Sequence, residues 1–287
     1  MIASSTLALW LAVNTISLAA PTSPHIEWIL NYDDARHSAA AEGKLIVLYF
    51  ESSNGERSLK MDEETLNQPE VVQAFQKFIC FRIDYEQMQR SLNVIRNDRN
   101  TKLANQYRVN FLPTLVITDI AGHTFVRIED FIRPRELVEI AGRLPSDLSH
   151  VYPALLAREW EPDNALLGIA AADSFQQLHC YQTSNEIYGE IEGADTLRKD
   201  ARLAEHVDMY RAMNYFELKD LAPSTKLFER MLDKYPKSSH RPEQLFMLVK
   251  LYIQSLNEIR AREYLENLRK EFPGDPYTVF AAELFRK

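Results

Sequence analysis

A continuous apolar run, Leu45–Phe50, stands out in the first half of the chain. Its aliphatic, aromatic and β-branched residues predict a central strand that is covered on both faces of a sheet. A small polar loop, Ser52–Arg57, follows this run, and a helix is predicted from about Glu56 to Thr65. Two further apolar runs, Ile79–Ile83 and Thr114–Thr118, predict neighbouring strands.

Helical patterns alternate with these apolar runs, and a hairpin is predicted after the last of them. One helix is expected to end at Gly43, and Pro69 is expected to begin another. The polar stretch 86–99 is interpreted as an exposed insertion, and Asn100 as the cap of the helix that follows it. Together these patterns predict a mixed sheet flanked by helices.

The second half of the chain shows only helical spacing. Pro145 and the polar stretch Ser146–His150 mark the expected boundary, and Ser174–Ile191 is expected to form one long helix. Two segments then repeat at a spacing of 37 residues, so that Tyr215, Phe228, Met231 and Pro236 recur as Tyr252, Leu265, Leu268 and Pro273. A repeat of this length predicts stacked helical hairpins.

The N-terminal stretch Thr6–Ala20 is apolar and has small residues before Pro21. This pattern indicates a signal peptide over residues 1–21, and therefore export to the periplasm or cell envelope. Neither Lys nor Arg precedes the apolar run, so an uncleaved membrane anchor and a cytoplasmic protein stay open as alternatives. Association with a membrane is expected only if the segment is not cleaved.

Composition and charge limit the kinds of partner and functional site that we expect. The chain has 287 residues and a net charge of −8, which argues against nucleic acid as a partner. Its two cysteines, Cys80 and Cys180, are either buried free thiols or a single bridge between the two halves. The seven histidines are scattered without metal-ligand spacing. We therefore expect no metal site, no cofactor and no catalytic residues.

Residues 25–145 carry several separated motifs that resemble the thioredoxin-fold family. These motifs are Phe50, Lys60-Met61-Asp62-Glu63-Glu64, Pro69-Glu70-Val71, Tyr107-Arg108-Val109 and Pro113-Thr114. The resemblance implies an α/β thioredoxin-like domain over this range. Residues 151–287 resemble tetratricopeptide repeats, which implies an all-α domain of helical hairpins.

The redox positions depart from the family pattern. An ungapped alignment on Phe50 and Lys60 places Asn54 at the family's tryptophan, and Gly55 and Ser58 at its two cysteines. Disulfide exchange needs a thiolate nucleophile and a resolving thiol, which neither residue supplies. The resemblance therefore implies a degenerate active-site loop made of Asn54, Gly55, Glu56, Arg57 and Ser58.

The resemblance also implies a cis peptide bond before Pro113, facing this loop. In the family, the neighbours of this proline pair with extended peptides. Leu112, Pro113 and Thr114 are therefore either a requirement of the fold or the remains of a peptide-binding groove.

Both halves of the chain resemble frames that hold polypeptide. We therefore expect a redox-inactive protein-binding module, of scaffold or chaperone-like type, whose partner is a protein or peptide. Two alternatives remain at this point. One is a thiol–disulfide oxidoreductase that acts with cysteines of a partner, and the other is a structural component of an envelope complex.

Overall fold

The computed structural model describes residues 25–90 and 94–286, with the side chains of residues 88–97 left aside. The predicted signal peptide, residues 1–21, lies outside the described residues. Within those ranges, no helix is long and apolar enough to cross a membrane.

Five strands in the described residues form one mixed sheet. They are β1 (Trp28–Ile29), β2 (Leu45–Glu51), β3 (Phe78–Asp84), β4 (Thr114–Thr118) and β5 (Thr124–Glu129). The strand order is β1-β3-β2-β4-β5, and β2 pairs in parallel with β3 and antiparallel with β4. All seven residues of β2 are buried, as the continuous apolar run predicts for a central strand.

Six helices flank this sheet in the described part of the N-terminal half. They are α1 (Tyr32–Glu42), α2 (Glu56–Met61), α3 (Pro69–Phe75), α4 (Tyr85–Arg90), α5 (Val94–Gln106) and α6 (Pro134–Gly142). A π-helical turn, Asp62–Leu66, continues α2. The mixed sheet with flanking helices confirms the predicted fold class of this region.

The C-terminal region is helical throughout its described length. Its helices are α7 (Tyr152–Trp160), α8 (Ala165–Gln177), α9 (Tyr181–Ile191), α10 (Asp195–Lys199), α11 (Ala201–Glu217), α12 (Leu221–Lys234), α13 (Arg241–Gln254), α14 (Glu258–Glu271) and α15 (Pro276–Glu283). The all-α prediction for this half of the chain is confirmed.

Two local predictions are wrong. Asn100 does not cap a helix, because it lies buried inside α5, which begins at Val94 within the polar stretch 86–99. Gln, Met and Arg favour helices even where no apolar stripe is present, so the sequence pattern did not show that this helix begins before Asn100. The single helix expected over Ser174–Ile191 is two helices, since the chain turns at His179.

That turn recurs twice in the helical region. His179, Lys219 and Leu256 all have left-handed backbone conformations, with φ of 60°, 63° and 58°. In each case the next residue donates its N–H to the carbonyl five positions earlier, in the pairs Cys180–Phe175, Asp220–Tyr215 and Asn257–Tyr252. This is a common way for a helix to end. The recurrence supports an earlier, degenerate hairpin formed by α8 and α9.

The two later hairpins, α11–α12 and α13–α14, bury equivalent positions. The pairs that the 37-residue spacing relates are Phe228 with Leu265, Met231 with Leu268, Ala212 with Val249 and Ser224 with Ala261, and all eight residues are at most 3% exposed. Neighbouring hairpins thus bury the apolar faces that one hairpin leaves uncovered.

The stretch expected to separate the two halves, Ser146–His150, packs with the start of α7 against the residues that precede β2. Leu148 is fully buried and donates its N–H to the carbonyl of Gly43 at 2.7 Å. The hydroxyl of Tyr152 donates to the carbonyl of Lys44 at 2.6 Å. Gly43 has a φ of 65°, and a Cβ there would lie 2.8 Å from the backbone nitrogen of Ser149. Only glycine fits both the left-handed conformation and this close approach.

A charged cluster joins the turn between β4 and β5 to the helical region. Nδ1 of His123 lies 2.6 Å from Oδ2 of Asp119, and Nε2 lies 3.7 Å from Oε1 of Glu190 on α9. Glu190 also accepts from Arg158 on α7 at 2.9 Å. Burial lowers the pKa of His123, but the hydrogen bonds to the two carboxylates outweigh it and raise that pKa to about 10.

We expect His123→Gln to lower the free energy of unfolding by about 2 kcal/mol at neutral pH. Because the folded-state pKa is raised, the contribution is complete below the unfolded value, about 6.5. It is lost as pH rises towards 10. Urea unfolding of wild type and variant between pH 6 and 10 measures this difference. His37→Gln, at an exposed position of α1, is the control, and a difference independent of pH would contradict the assignment.

Candidate functional site

The loop predicted to be a degenerate active site joins the carboxyl end of β2 to α2. Ser52 donates its N–H to Oγ of Ser58 at 3.1 Å, and its carbonyl accepts from the N–H of Gly55 at 2.8 Å. Ser53 donates its N–H to Oδ1 of Asp84 at 3.2 Å, at the end of β3. The loop is therefore held by its own residues and by the neighbouring strand.

Each residue of the predicted loop has a defined position. Gly55 is the N-cap of α2 and has an extended backbone at φ −80° and ψ 122°. Because glycine has no side chain, this helix start has no side-chain capping hydrogen bond. Ser58, one turn into the helix, is 1% exposed. Asn54, Glu56 and Arg57 are exposed. A buried hydroxyl thus stands three residues after the cap.

Arg57 links α2 to the segment that follows β5. Its guanidinium lies 2.7 Å from Oδ2 of Asp130, and Nζ of Lys60 lies 4.6 Å from the ring centre of Phe131. Asp130 in turn donates its N–H to the carbonyl of Pro113 at 2.9 Å. The loop helix and the proline segment are therefore connected through a single residue.

The Leu112–Pro113 peptide is cis, as the resemblance implied. Thr114 is buried, and its hydroxyl donates to the carbonyl of Phe111 at 2.7 Å. The side chain of Phe111 is 62% exposed beside this segment. The peptide-binding role of Leu112, Pro113 and Thr114 stays a prediction.

Sequence reasoning missed Glu51, the last residue of β2. It is 3% exposed and pairs in register with Asp84 of β3. No hydrogen bond or ion pair of its carboxylate is found with any residue that the structure describes. Burial, and then the charge of Asp84, raise the pKa of Glu51 to about 7. A glutamate at the end of an otherwise apolar run was the available signal.

Two family models match the chain. A model described as a thioredoxin-like domain matches residues 32–144, and a tetratricopeptide repeat model matches residues 207–238. Residues 32–144 form a thioredoxin-like domain. A tetratricopeptide-like repeat, which includes most of α11 and all of α12, follows it along the chain.

Three solved structures are similar to the chain. One is titled DsbH Oxidoreductase, with 19% identity and a TM-score of 0.37 over 47% of this chain and 96% of its own. A thioredoxin from Thermus thermophilus has 21% identity and a TM-score of 0.34, over 42% and 87%. An uncharacterized thioredoxin-like protein from Clostridium perfringens has 19% identity and a TM-score of 0.31, over 48% and 96%. A comparison with curated proteins found no match.

Both cysteines lie away from the loop of the thioredoxin-like domain and are free thiols, which excludes a bridge between the halves. Cys80 is 5% exposed on β3, in register with Val47, and burial raises its pKa to about 12. Cys180 precedes α9, and burial and then the charge of Asp119 raise its pKa to about 11. Neither thiol is a ready nucleophile at neutral pH.

Across the described ranges, no three His, Cys, Asp or Glu side chains are arranged to hold a metal ion.

We expect Glu51→Gln to stabilise the protein above pH 7 by about 2 kcal/mol, since it removes a buried charge. The folded-state pKa of about 7 exceeds the ordinary 4.5, so wild type loses stability as pH rises between these values. Below pH 4.5 the two proteins should be equally stable. Urea unfolding at pH 4.5, 6 and 8 measures this, with exposed Glu64→Gln as control. Equal stability at all three values would contradict the assignment.

Proposed function

We propose that this protein binds polypeptide and does not itself exchange disulfides. The observation that carries the proposal is the loop after β2, which keeps a helix N-cap and a buried third position but fills them with Gly55 and Ser58. The hydroxyl of Ser58 accepts a backbone hydrogen bond from Ser52, so the loop is held in place without a disulfide.

The chemistry of exchange supports this proposal. A thiolate must attack a disulfide, and a second thiol must then release the mixed disulfide. Cys80 and Cys180 are protonated at neutral pH because burial raises the pKa of both. They also lie in separate parts of the fold.

Two surfaces support a binding role. Phe111 presents an exposed aromatic ring next to the cis-proline segment, and an aromatic side chain there would bury a large apolar area on contact with a peptide. The helical hairpins of the repeat region provide a second frame of a kind that commonly binds peptides. Both features favour a protein partner.

Restoring the thiols tests the redox part of the proposal. We expect wild type not to accelerate insulin reduction by dithiothreitol, whereas Gly55→Cys with Ser58→Cys should accelerate it. The extended backbone of Gly55 accepts a side chain, although its Cβ would need a small shift from the carbonyl oxygen of Ser52 at 3.2 Å. A cysteine at a helix N-terminus also has a lowered thiol pKa.

Gly55→Ala with Ser58→Ala is the matched variant without thiols. The proposal is wrong if wild type exceeds a Cys80→Ser, Cys180→Ser double variant in the same assay, because an original thiol would then be active.

Replacing the exposed aromatic side chain tests the binding part. We expect Phe111→Ser to weaken binding of reduced, carbamidomethylated α-lactalbumin about fivefold, through the loss of buried apolar surface. Leu30→Ser changes a side chain with 48% exposure next to β1 and is the control. Fluorescence anisotropy of the labelled probe measures the affinity, and equal affinities for wild type and Phe111→Ser would argue against this face.

A further inference from the structure

An excess of negative charge collects on one face of the sheet, at the carboxyl ends of β2 and β3. Residues two apart on a strand share a face, so Tyr49 and Glu51 lie on the same side. The register pairs Tyr49 with Arg82 and Glu51 with Asp84. The charges of Asp84, Arg82 and Asp62 all act on Glu51, so three carboxylates and one guanidinium share this region.

The guanidinium of Arg82 pairs with the third carboxylate, that of Asp62, while its buried Nε has no hydrogen-bond partner within the described part of the chain. Arg82 donates to Oδ1 of Asp62 at 2.6 Å, and its Cζ lies 4.8 Å and 5.1 Å from the ring centres of Trp28 and Tyr49. It reduces the rise in the pKa of Glu51 but forms no ion pair with this residue. Glu51 and Asp84 consequently have no ion-pair partner among the described residues, although the charge of Arg82 acts on Glu51 from nearby.

The neighbouring polar groups orient the pair without neutralising it. Oδ1 of Asp84 accepts the N–H groups of Ser53 and Glu86, at 3.2 Å and 2.9 Å. Glu86 adds a further carboxylate, and Ser52 donates its hydroxyl to it at 3.3 Å. The loop is therefore shaped around acidic groups, and the deepest of them, Glu51, has no hydrogen-bond partner among the described residues.

We propose that Glu51 and Asp84 bind the cationic side chain of a Lys or Arg residue in the polypeptide partner. This inference rests on the proposed function, since it names a side chain that the bound polypeptide must present. A buried carboxylate without a partner is unfavourable, and a paired cation offsets that penalty.

Glu51 lies close to the segment along which a bound peptide would run. Phe50 pairs with Thr114 in the antiparallel ladder, so Glu51 lies one residue further along, level with Pro113. A peptide that runs along the cis-proline segment would therefore pass close to the acidic pair. Lys and Arg have flexible stems that carry a charge past half-buried Asp84 towards Glu51.

The number and arrangement of the carboxylates favour an organic cation over a metal ion. No described group of side chains offers the three ligands that a metal site would need. A single ammonium or guanidinium group needs only two carboxylates and makes charge-assisted hydrogen bonds to them.

Two matched peptides test the proposal, acetyl-Gly-Phe-Ala-Lys-Ala-Phe-Gly-amide and the same peptide with Gln in place of Lys. We expect the Lys peptide to bind wild type about tenfold more tightly, as a charge-assisted contact would give. Glu51→Gln should abolish this preference, and Glu64→Gln should retain it. Isothermal titration calorimetry at pH 8 and low salt measures the affinities.

Asp84→Asn provides a second variant, because its amide oxygen can still accept the two N–H groups that hold the loop. It should also reduce the preference for the Lys peptide. Equal binding of both peptides to wild type would overturn the cation site and leave the proposed function standing. Binding of neither peptide would overturn both.

Discussion

The pairing of β2 on both edges is the constraint on which the rest of the structure depends. The strand lies between β3 and β4 and is buried along its whole length. A slip of one residue would turn every side chain to the opposite face, so the register is fixed. One end of the strand receives the helical region at Gly43 and Lys44, and the other presents Glu51 and the loop. The helical region and the candidate site are therefore positioned by the same strand.

The apolar run and the motifs around it were enough to predict four of the five described strands, because a strand buried on both faces has a simple pattern, whereas the two-residue β1 was not predicted. The 37-residue spacing likewise predicted the hairpins, since equivalent buried positions must repeat. The start of α5 was placed too late, at Asn100, because helix propensity leaves no apolar stripe in residues 86–99. The turn at His179 was missed because a left-handed helix end usually carries glycine. Glu51 escaped notice because its importance comes from Asp84, a residue distant in sequence but paired in register.

Two buried carboxylates, those of Asp119 and Glu51, lie in opposite hydrogen-bonding environments. Asp119 accepts hydrogen bonds from the backbone N–H groups of Ala121, Gly122 and His123 and from the His123 ring, so its charge is fully matched. Glu51 has a similar burial but no such partner among the described residues. A buried carboxylate is stable when donors surround it and unfavourable when they do not. The contrast separates a carboxylate that holds the fold from one that is left available.

The loop between β2 and α2 contains no cysteine, so it must keep its shape without a disulfide. Ser58 holds one part of the loop, since its buried hydroxyl accepts the N–H of Ser52. Asp84 accepts a hydrogen bond from the N–H of Ser53, which attaches the loop to β3. The residue that shapes the loop is thus also half of the acidic pair. A cation bound at that pair, as proposed, would therefore act on the conformation of the loop through the same carboxylate.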